Sequence, residues 1–136
     1  MRCVMPVVRR RDQMTKPNMI LLYVQDPEKS VDFYADILNA KPLEQSPTFA
    51  MFQMNENIIL GLWAKHTVEP KVTATPGATE LGVHVEGRAA VDATHADWAK
   101  RNVPIAQAPT KMDFGYTFVG LDPDGHRLRV FSPEAP

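Results

Sequence analysis

Residues 23–38, YVQDPEKSVDFYADIL, decide the fold of the first half of this chain. They include the end of an apolar strand, MILLYV at 19–24, which is followed one residue later by Asp26 and Pro27. Aspartate favours the N-cap of a helix because its carboxylate accepts a hydrogen bond from a free backbone N–H, and proline suits the first turn, where that donor is not needed. Beyond the cap, apolar residues recur at helical spacing: Val31, Tyr34, Ile37 and Leu38. The stretch therefore predicts a strand followed by a helix.

The rest of the first half predicts a β-hairpin and a linker. TFAMFQM at 48–54 and IILGLWA at 58–64 are rich in apolar residues and flank the turn sequence NEN at 55–57. The segment that follows, EPKVTATPGAT at 69–79, is rich in proline, threonine and glycine, which is typical of a linker.

The second half repeats the same order of elements. ELGVHVE at 80–86 predicts a strand, 88–102 predicts a helix, and PIAQAP at 104–109 predicts a short extended piece. TFVGL at 117–121 and RLRVF at 127–131 flank the turn DPDG and predict a second hairpin. Each half therefore has the order strand, helix, strand, strand, strand. This is a repeat of pattern, since the two halves share little sequence.

Length and composition set the class of protein. The chain has 136 residues, of which 44% are hydrophobic and 23% are charged, and its net charge is -1. This length and composition fit one globular domain, and the net charge gives no sign of a basic surface for nucleic acid. The sequence has no apolar run long enough to span a bilayer. The single cysteine, Cys3, cannot form an internal disulfide, which fits a reducing cytoplasm. We expect a cytoplasmic protein that acts on neither nucleic acid nor membrane.

The predicted domain boundaries follow from these elements. Residues 1–16 are predicted to form an N-terminal extension and residues 17–136 the domain. Within the domain, module one covers 18–66, the linker covers 67–79 and module two covers 80–133.

Two motifs carry a resemblance to a known family: YVQDPEKSVDFYADIL in the first half and FVGLDPDGHRLRVF in the second. Together with the doubled order of elements, residues 18–132 resemble the vicinal oxygen chelate superfamily, which includes glyoxalase I, fosfomycin and bleomycin resistance proteins and extradiol dioxygenases. Within it, the phrases LLYV, SVDFY, SPTFAMF, LGLW, DFGYTF and DPDGHRLRV look most like the phenazine-antibiotic resistance proteins. The resemblance implies an α+β fold in which two βαβββ modules form a curled, cup-shaped mixed sheet with the helices outside. It also implies a homodimer.

Alternation along the strands predicts which side chains face the cup. Because the helices cover the outer face, the outer set should be apolar: Ile20, Leu22, Val24, Leu81, Val83, Val85, Leu128 and Val130. The inner set is then Met19, Leu21, Tyr23, Glu80, Gly82, His84, Glu86, Arg127, Arg129 and Phe131. The fourth strand is apolar on both faces, and there the resemblance places Gly61 and Trp63 inward.

The resemblance also identifies where a metal ion would be held. Metal-dependent members use four side chains in the cup, and the matching positions here are Met19, Gly61, Glu80 and Arg129. A thioether is a weak ligand for a hard ion, glycine supplies no side-chain ligand, and a guanidinium brings positive charge to the place of the cation. We therefore expect no metal and no cofactor. We expect Arg129 to pair with Glu80 on a neighbouring strand, because an inward charge needs a partner or water, and the alternative is a solvated arginine.

Aromatic residues supply the candidate ligand site. An inward tryptophan offers a flat face to an aromatic ligand, so Trp63 is the first candidate contact. Further rings and polar groups complete the predicted site: Tyr23, Phe49, Phe114, Tyr116, Glu80, His84 and Arg129. For Phe49, Phe114 and Tyr116 taken singly, core packing is the preferred interpretation, whereas the group predicts a ring-lined pocket.

The histidines are a separate question. His84 lies two residues from Glu86, a spacing that suits a shared metal or a proton relay, but a hydrogen-bonded pocket histidine is the preferred interpretation. The other three histidines, His66, His95 and His126, are predicted to lie on the surface.

These residues together predict a metal-independent protein that binds planar aromatic, drug-like molecules and gives antibiotic resistance by sequestration. No GxSxG turn, CxxC pair or Walker loop supports nucleophilic or nucleotide chemistry, and no catalytic residue is predicted. The alternative is an enzyme of the same superfamily, either metal-free or a metal-dependent lyase or dioxygenase with displaced ligands. Such an enzyme would act on a small aromatic or thiol-adduct substrate.

Overall fold

The computed structural model describes residues 16–75 and 77–135. Most of the predicted N-terminal extension, including Cys3, lies outside these ranges. The chain divides into two compact units, with the boundary between Thr73 and Ala74. Within the described residues, no helix combines the length and the apolar character needed to cross a membrane.

The first unit has one helix and one four-stranded sheet. Its elements are β1 (Met19–Val24), α1 (Pro27–Leu38), β2 (Glu44–Gln45), β3 (Phe49–Gln53) and β4 (Ile59–Ala64). The strand order is β1-β4-β3-β2, in which β1 is parallel to β4 and the other neighbours are antiparallel. Only β2 has no counterpart among the strands located from sequence, because two polar residues give no periodic signal.

Helix α1 begins where the sequence predicts. The Asp26 carboxylate accepts a hydrogen bond from the Glu28 backbone N–H at 3.1 Å, and Pro27 occupies the first turn. The helix ends at Asn39, which adopts the left-handed conformation with φ of 50°. Asparagine tolerates that conformation better than most residues, so it closes the helix without glycine.

Strand β1 shows the predicted alternation. Leu22 and Val24 are fully buried, whereas Leu21 and Tyr23 are 39% and 37% exposed. The buried pair therefore defines the face that packs into the core of this unit, and the exposed pair defines the opposite face.

The second unit repeats the arrangement. Its elements are β5 (Glu80–His84), α2 (Arg88–Lys100), β6 (Ile105–Met112), β7 (Gly115–Leu121) and β8 (Arg127–Pro133). The strand order is β5-β8-β7-β6, again with one parallel and two antiparallel pairs. The predicted α+β class with two βαβββ modules is confirmed.

Helix α2 packs on the face of β7 through a tight contact. Trp98 meets Phe118 edge to face, with ring centroids 5.3 Å apart. At Gly120 a Cβ would lie 3.0 Å from both Trp98 Cε3 and Val103 Cγ1. Glycine at this position therefore lets the helix approach the strand closely.

The prediction for β5 needs one correction. Val83 was expected to be buried with Leu81, but it is 39% exposed while Leu81 is buried. Both residues lie on β5, an edge strand whose one neighbour in the sheet is β8, and the burial of this strand's apolar face ends after Leu81.

Two histidine predictions are also wrong. His126 was expected at the surface of the DPDG turn, but it is only 3% exposed. Its Nδ1 lies 2.9 Å from Oδ2 of Asp122, and this hydrogen bond raises the pKa of His126. His95 is half-buried rather than exposed, because its ring packs edge-on against Phe118 with centroids 5.2 Å apart.

Candidate functional site

Three aromatic rings lie side by side on one face of the first unit, and we call them the Trp63 cluster: Trp63, Tyr23 and Phe49. Trp63 is the register partner of Tyr23 on β1 and of Phe49 on β3. Directly opposed residues point to the same face of a sheet, which brings the rings together. The Trp63 ring meets Tyr23 at 6.2 Å and Phe49 at 6.4 Å, both edge to face.

The Trp63 cluster runs from core to surface. Phe49 is only 2% exposed and packs with Met51 and Ile59, Trp63 is half-buried, and Tyr23 is 37% exposed. Phe49 therefore packs against the buried side of the Trp63 ring, whereas Trp63 and Tyr23 leave part of their ring surface exposed to solvent. A ring in partial contact with the core is held in one orientation and still offers a face to a planar molecule.

Gly61 lies two residues before Trp63 and is closely covered. A Cβ placed there would come 2.5 Å from Leu21 Cδ2 and 2.9 Å from Met19 Cε. These contacts place Gly61 on the same face as Met19 and Leu21, which strand phase assigns to the cup, and agree with the inward position that the resemblance implies for Gly61.

The predicted ion pair in the second unit is confirmed. Nε of Arg129 donates to Oε2 of Glu80 at 2.9 Å. The same guanidinium donates through Nη1 to Gln107 Oε1 at 3.2 Å and to Thr117 Oγ1 at 3.3 Å. Arg129 is therefore fixed by three acceptors on three other strands.

The positions that resemble the superfamily's metal ligands do not fit a hard divalent cation. In the first unit, Met19 offers only a thioether and Gly61 offers no side chain. In the second unit, the carboxylate of Glu80 accepts from Arg129, whose own charge opposes a cation. The donor chemistry at these positions therefore argues against metal chemistry of the glyoxalase type.

A different set of possible ligands lies in the DPDGH turn. One ligand atom each from Asp122, Asp124 and His126 falls within 4.8 Å of the others. The Asp122 carboxylate, however, accepts from the backbone N–H groups of Asp124 and His126 and bonds the His126 ring. These bonds give the carboxylate a role in shaping the turn.

The face around Arg129 also carries aromatic rings. Arg129 Cζ lies 5.7 Å from the centroid of Phe114, which is 44% exposed and meets Phe131 edge to face. His84 stacks on Phe131 with centroids 5.6 Å apart, and its Nε2 lies 3.5 Å from Oε1 of Glu86. The structure thus brings four predicted site residues into one region of the second unit: Glu80, His84, Phe114 and Arg129.

A cavity of about 310 Å³ opens beside Arg129. Its other lining residues are Ala106, Gln107, Met112, Val119 and Arg127. Gln107 was missed from sequence because PIAQAP is too short to reveal which of its side chains share a face with Arg129.

Tyr116 does not join this region. Its hydroxyl donates to Asp92 Oδ1 of α2 at 2.8 Å, which raises the pKa of Tyr116. Arg88 Cζ lies 4.6 Å above its ring, and Arg88 in turn binds Glu134. The grouping of Tyr116 with Arg129 is therefore wrong, because neighbouring residues on β7 point to opposite faces and Thr117 contacts Arg129.

The fold and these residues define the class of protein. A model of the glyoxalase/bleomycin resistance protein/dioxygenase superfamily matches residues 16–130. The chain belongs to that superfamily. This confirms the resemblance read from YVQDPEKSVDFYADIL and FVGLDPDGHRLRVF.

Individual relatives show which proteins of the superfamily this chain resembles in sequence and in fold. The chain is 31% identical over 117 residues to the phenazine antibiotic resistance protein EhpR of Enterobacter agglomerans, covering 84% of this chain and 89% of EhpR. It is 46% identical to protein ATC0852 of Agrobacterium tumefaciens, whose solution structure matches with a TM-score of 0.78 over 90% of this chain and 100% of the other. A glyoxalase-related enzyme from Fulvimarina pelagi matches in fold, with 20% identity, a TM-score of 0.76 and 88% of each chain covered.

Proposed function

We propose that this chain binds a planar aromatic, drug-like molecule without metal and without turnover, and that it gives antibiotic resistance by sequestration. The observation that carries the proposal is the half-buried Trp63 ring, held on edge by Phe49 and flanked by the exposed Tyr23. Offset or edge contact between aromatic rings contributes roughly 0.5–1.5 kcal/mol beyond the burial of apolar surface. Two presented rings with apolar neighbours can therefore support binding of a flat ligand.

The similarity to EhpR supports the same role. That relative is named for resistance to a phenazine antibiotic, and the match covers most of both chains. The superfamily also contains enzymes, so family membership by itself leaves binding and catalysis open. The unsuitable donor chemistry at the metal-ligand positions weighs towards binding, since Met19 and Gly61 offer no hard ligand.

The second candidate is an enzyme of the same superfamily that acts on a small aromatic or thiol-adduct substrate. His84 favours it, because an imidazole beside the Glu86 carboxylate has the composition of an acid or base pair. His84 is exposed and stacks on Phe131, so a ligand on that face could reach it. A metal-dependent form would need ligands displaced from the superfamily positions.

Calorimetric titration combined with ligand recovery separates these candidates. Purified protein would be assayed for metal content, titrated with 1-hydroxyphenazine and phenazine-1-carboxamide, incubated with each, and the ligand analysed by mass spectrometry. Saturable binding with unchanged ligand supports sequestration. Conversion of the ligand that is lost in His84→Ala and kept in the control His66→Ala would establish the enzyme instead. Sedimentation equilibrium on the same batch tests the homodimer that we also propose.

A further inference from the structure

A second cavity, of about 330 Å³, lies in the first unit, and we call it the Lys65 pocket. It is lined by Lys65, His66 and Lys71 together with Gln25, Glu69 and two valines, Val68 and Val72. None of its lining residues belongs to the Trp63 cluster. It is therefore a separate candidate for ligand binding.

The turn that forms one wall of the Lys65 pocket is well anchored. A single 3₁₀ turn, Lys65–Thr67, follows β4 directly. The Thr67 hydroxyl donates to the carbonyl of Ala64 at 2.8 Å, and the Val68 N–H donates to the carbonyl of Lys65 at 3.3 Å. Because Val68 is buried, the turn is held against the core of the unit and presents its basic residues from a fixed backbone.

The charges of the Lys65 pocket are not balanced from within. Among the described residues, neither Lys65 nor Lys71 has a carboxylate within ion-pair distance, and Glu69 pairs with neither lysine. Two lysines and one glutamate leave one positive charge in excess. His66 adds an imidazole N–H that can donate to an anion.

We infer that the Lys65 pocket binds a small organic monocarboxylate. A single excess positive charge matches a singly charged anion, and ammonium groups donate readily to carboxylate oxygens. Val68 and Val72 give the short hydrocarbon part of such an anion an apolar wall. The inference is independent of the proposed aromatic ligand, since it uses no residue of the Trp63 cluster.

Amide NMR titration with sodium isobutyrate tests the inference, with isobutanol as the uncharged counterpart and ionic strength held constant. We expect saturable shifts of the amides of residues 65–72 with isobutyrate and none that saturate with isobutanol. Lys65→Met combined with Lys71→Met should weaken the binding about fivefold, since each exposed charge contact is worth less than about 1 kcal/mol. Lys41→Met is the matched control, because Lys41 is another exposed lysine of the first unit.

Three results would overturn the inference. The first is shifts that spread over the whole chain without saturating, which would mean a general salt effect. The second is equal binding of isobutanol. The third is equal affinity in the Lys65→Met, Lys71→Met double variant and in Lys41→Met. Because Trp63 is not among the lining residues of the Lys65 pocket, we expect Trp63→Ala to keep isobutyrate binding, which separates this test from the test of the aromatic site.

Discussion

Nε of Arg129 lies 2.9 Å from Oε2 of Glu80, across the parallel strands β8 and β5. The two residues are diagonal rather than opposite, because the register partner of Glu80 is Arg127. Long side chains can reach such diagonal neighbours. The pair thus places a fixed guanidinium at one of the four positions that resemble the superfamily's metal ligands, where its positive charge opposes a cation.

The first prediction concerns this ion pair. The two side chains are 17% and 39% exposed, so solvent screens the pair and its coupling energy should be about 0.5–1 kcal/mol. Arg129→Met should cost more than Glu80→Gln, about 1–2 kcal/mol, because the buried Thr117 hydroxyl and Gln107 also lose a donor. A double-mutant cycle by urea unfolding measures the coupling, and a value of zero would contradict the stabilisation expected from the pair.

The second prediction concerns the packing of α2. Gly120→Ala forces a methyl group to 3.0 Å from both Trp98 and Val103, and such overpacking should destabilise the protein by about 1–3 kcal/mol. Gly82→Ala is the matched control on β5, since its added Cβ meets only Phe131 at 3.4 Å. Thermal unfolding compares the two variants. Equal stability of both would contradict the close approach of Trp98 to β7.

The sequence predicted those features that depend on local chemistry or strand phase. Asp26 and Pro27 located the start of α1 because capping is a property of neighbouring residues. Alternation in RLRVF correctly predicted that Arg129 points to the opposite face from Leu128 and Val130. The same alternation in ELGVHVE predicted that Glu80 lies on the face of Arg129, where the two side chains bind.

The errors came from features that depend on distant parts of the chain. Tyr116 is predicted as a further ring contact of the ligand site, whereas its hydrogen-bond partner Asp92 lies on α2. The turn sequence predicts an exposed His126, but its ring is buried and hydrogen-bonded to the Asp122 carboxylate. Gln107 could not be assigned from sequence, because its contact with Arg129 depends on the irregular pairing of β6 with β7.

The third prediction concerns pH. The bond to Asp122 raises the pKa of His126 above 6.5 in the folded protein. Its contribution to stability is therefore fully present below the unfolded pKa and is lost as pH rises through the folded pKa. In urea unfolding from about pH 5.5 to pH 8.5, the stability advantage of the wild type over His126→Asn should shrink as pH rises. An advantage that stays constant or grows with pH would contradict the His126–Asp122 bond.

The fourth prediction concerns the C-terminal ion pairs. Arg88 binds both carboxylate oxygens of Glu134, at 2.7 and 2.9 Å, and lowers the pKa of Glu134 to about 2. The stabilisation from this carboxylate is present above its unfolded pKa of 4.5 and is lost as pH falls towards 2. In an NMR titration of the Glu134 side-chain carboxyl carbon, Arg88→Gln should move the pKa back towards 4.5.

Lys111→Gln provides a graded comparison for that titration. Lys111 also contacts Glu134, at 3.4 Å, but contributes less than Arg88 to the lowered pKa. Lys111→Gln should therefore raise the pKa of Glu134 by less than Arg88→Gln does. A Glu134 pKa near 4.5 in the wild type, or a larger rise in Lys111→Gln, would show that the arrangement around Arg88 is incorrect.

The most direct test of aromatic binding at the Trp63 cluster is fluorescence titration with 1-hydroxyphenazine. The chain has two tryptophans, and Trp98→Phe leaves Trp63 as the only one. We predict saturable quenching in Trp98→Phe, and loss of calorimetric binding in Trp63→Ala at a temperature well below the unfolding midpoint of that variant, which is lowered because the ring packs on Phe49. Quenching that never saturates, or full binding by Trp63→Ala, would contradict the assignment of Trp63 as the ligand-stacking residue.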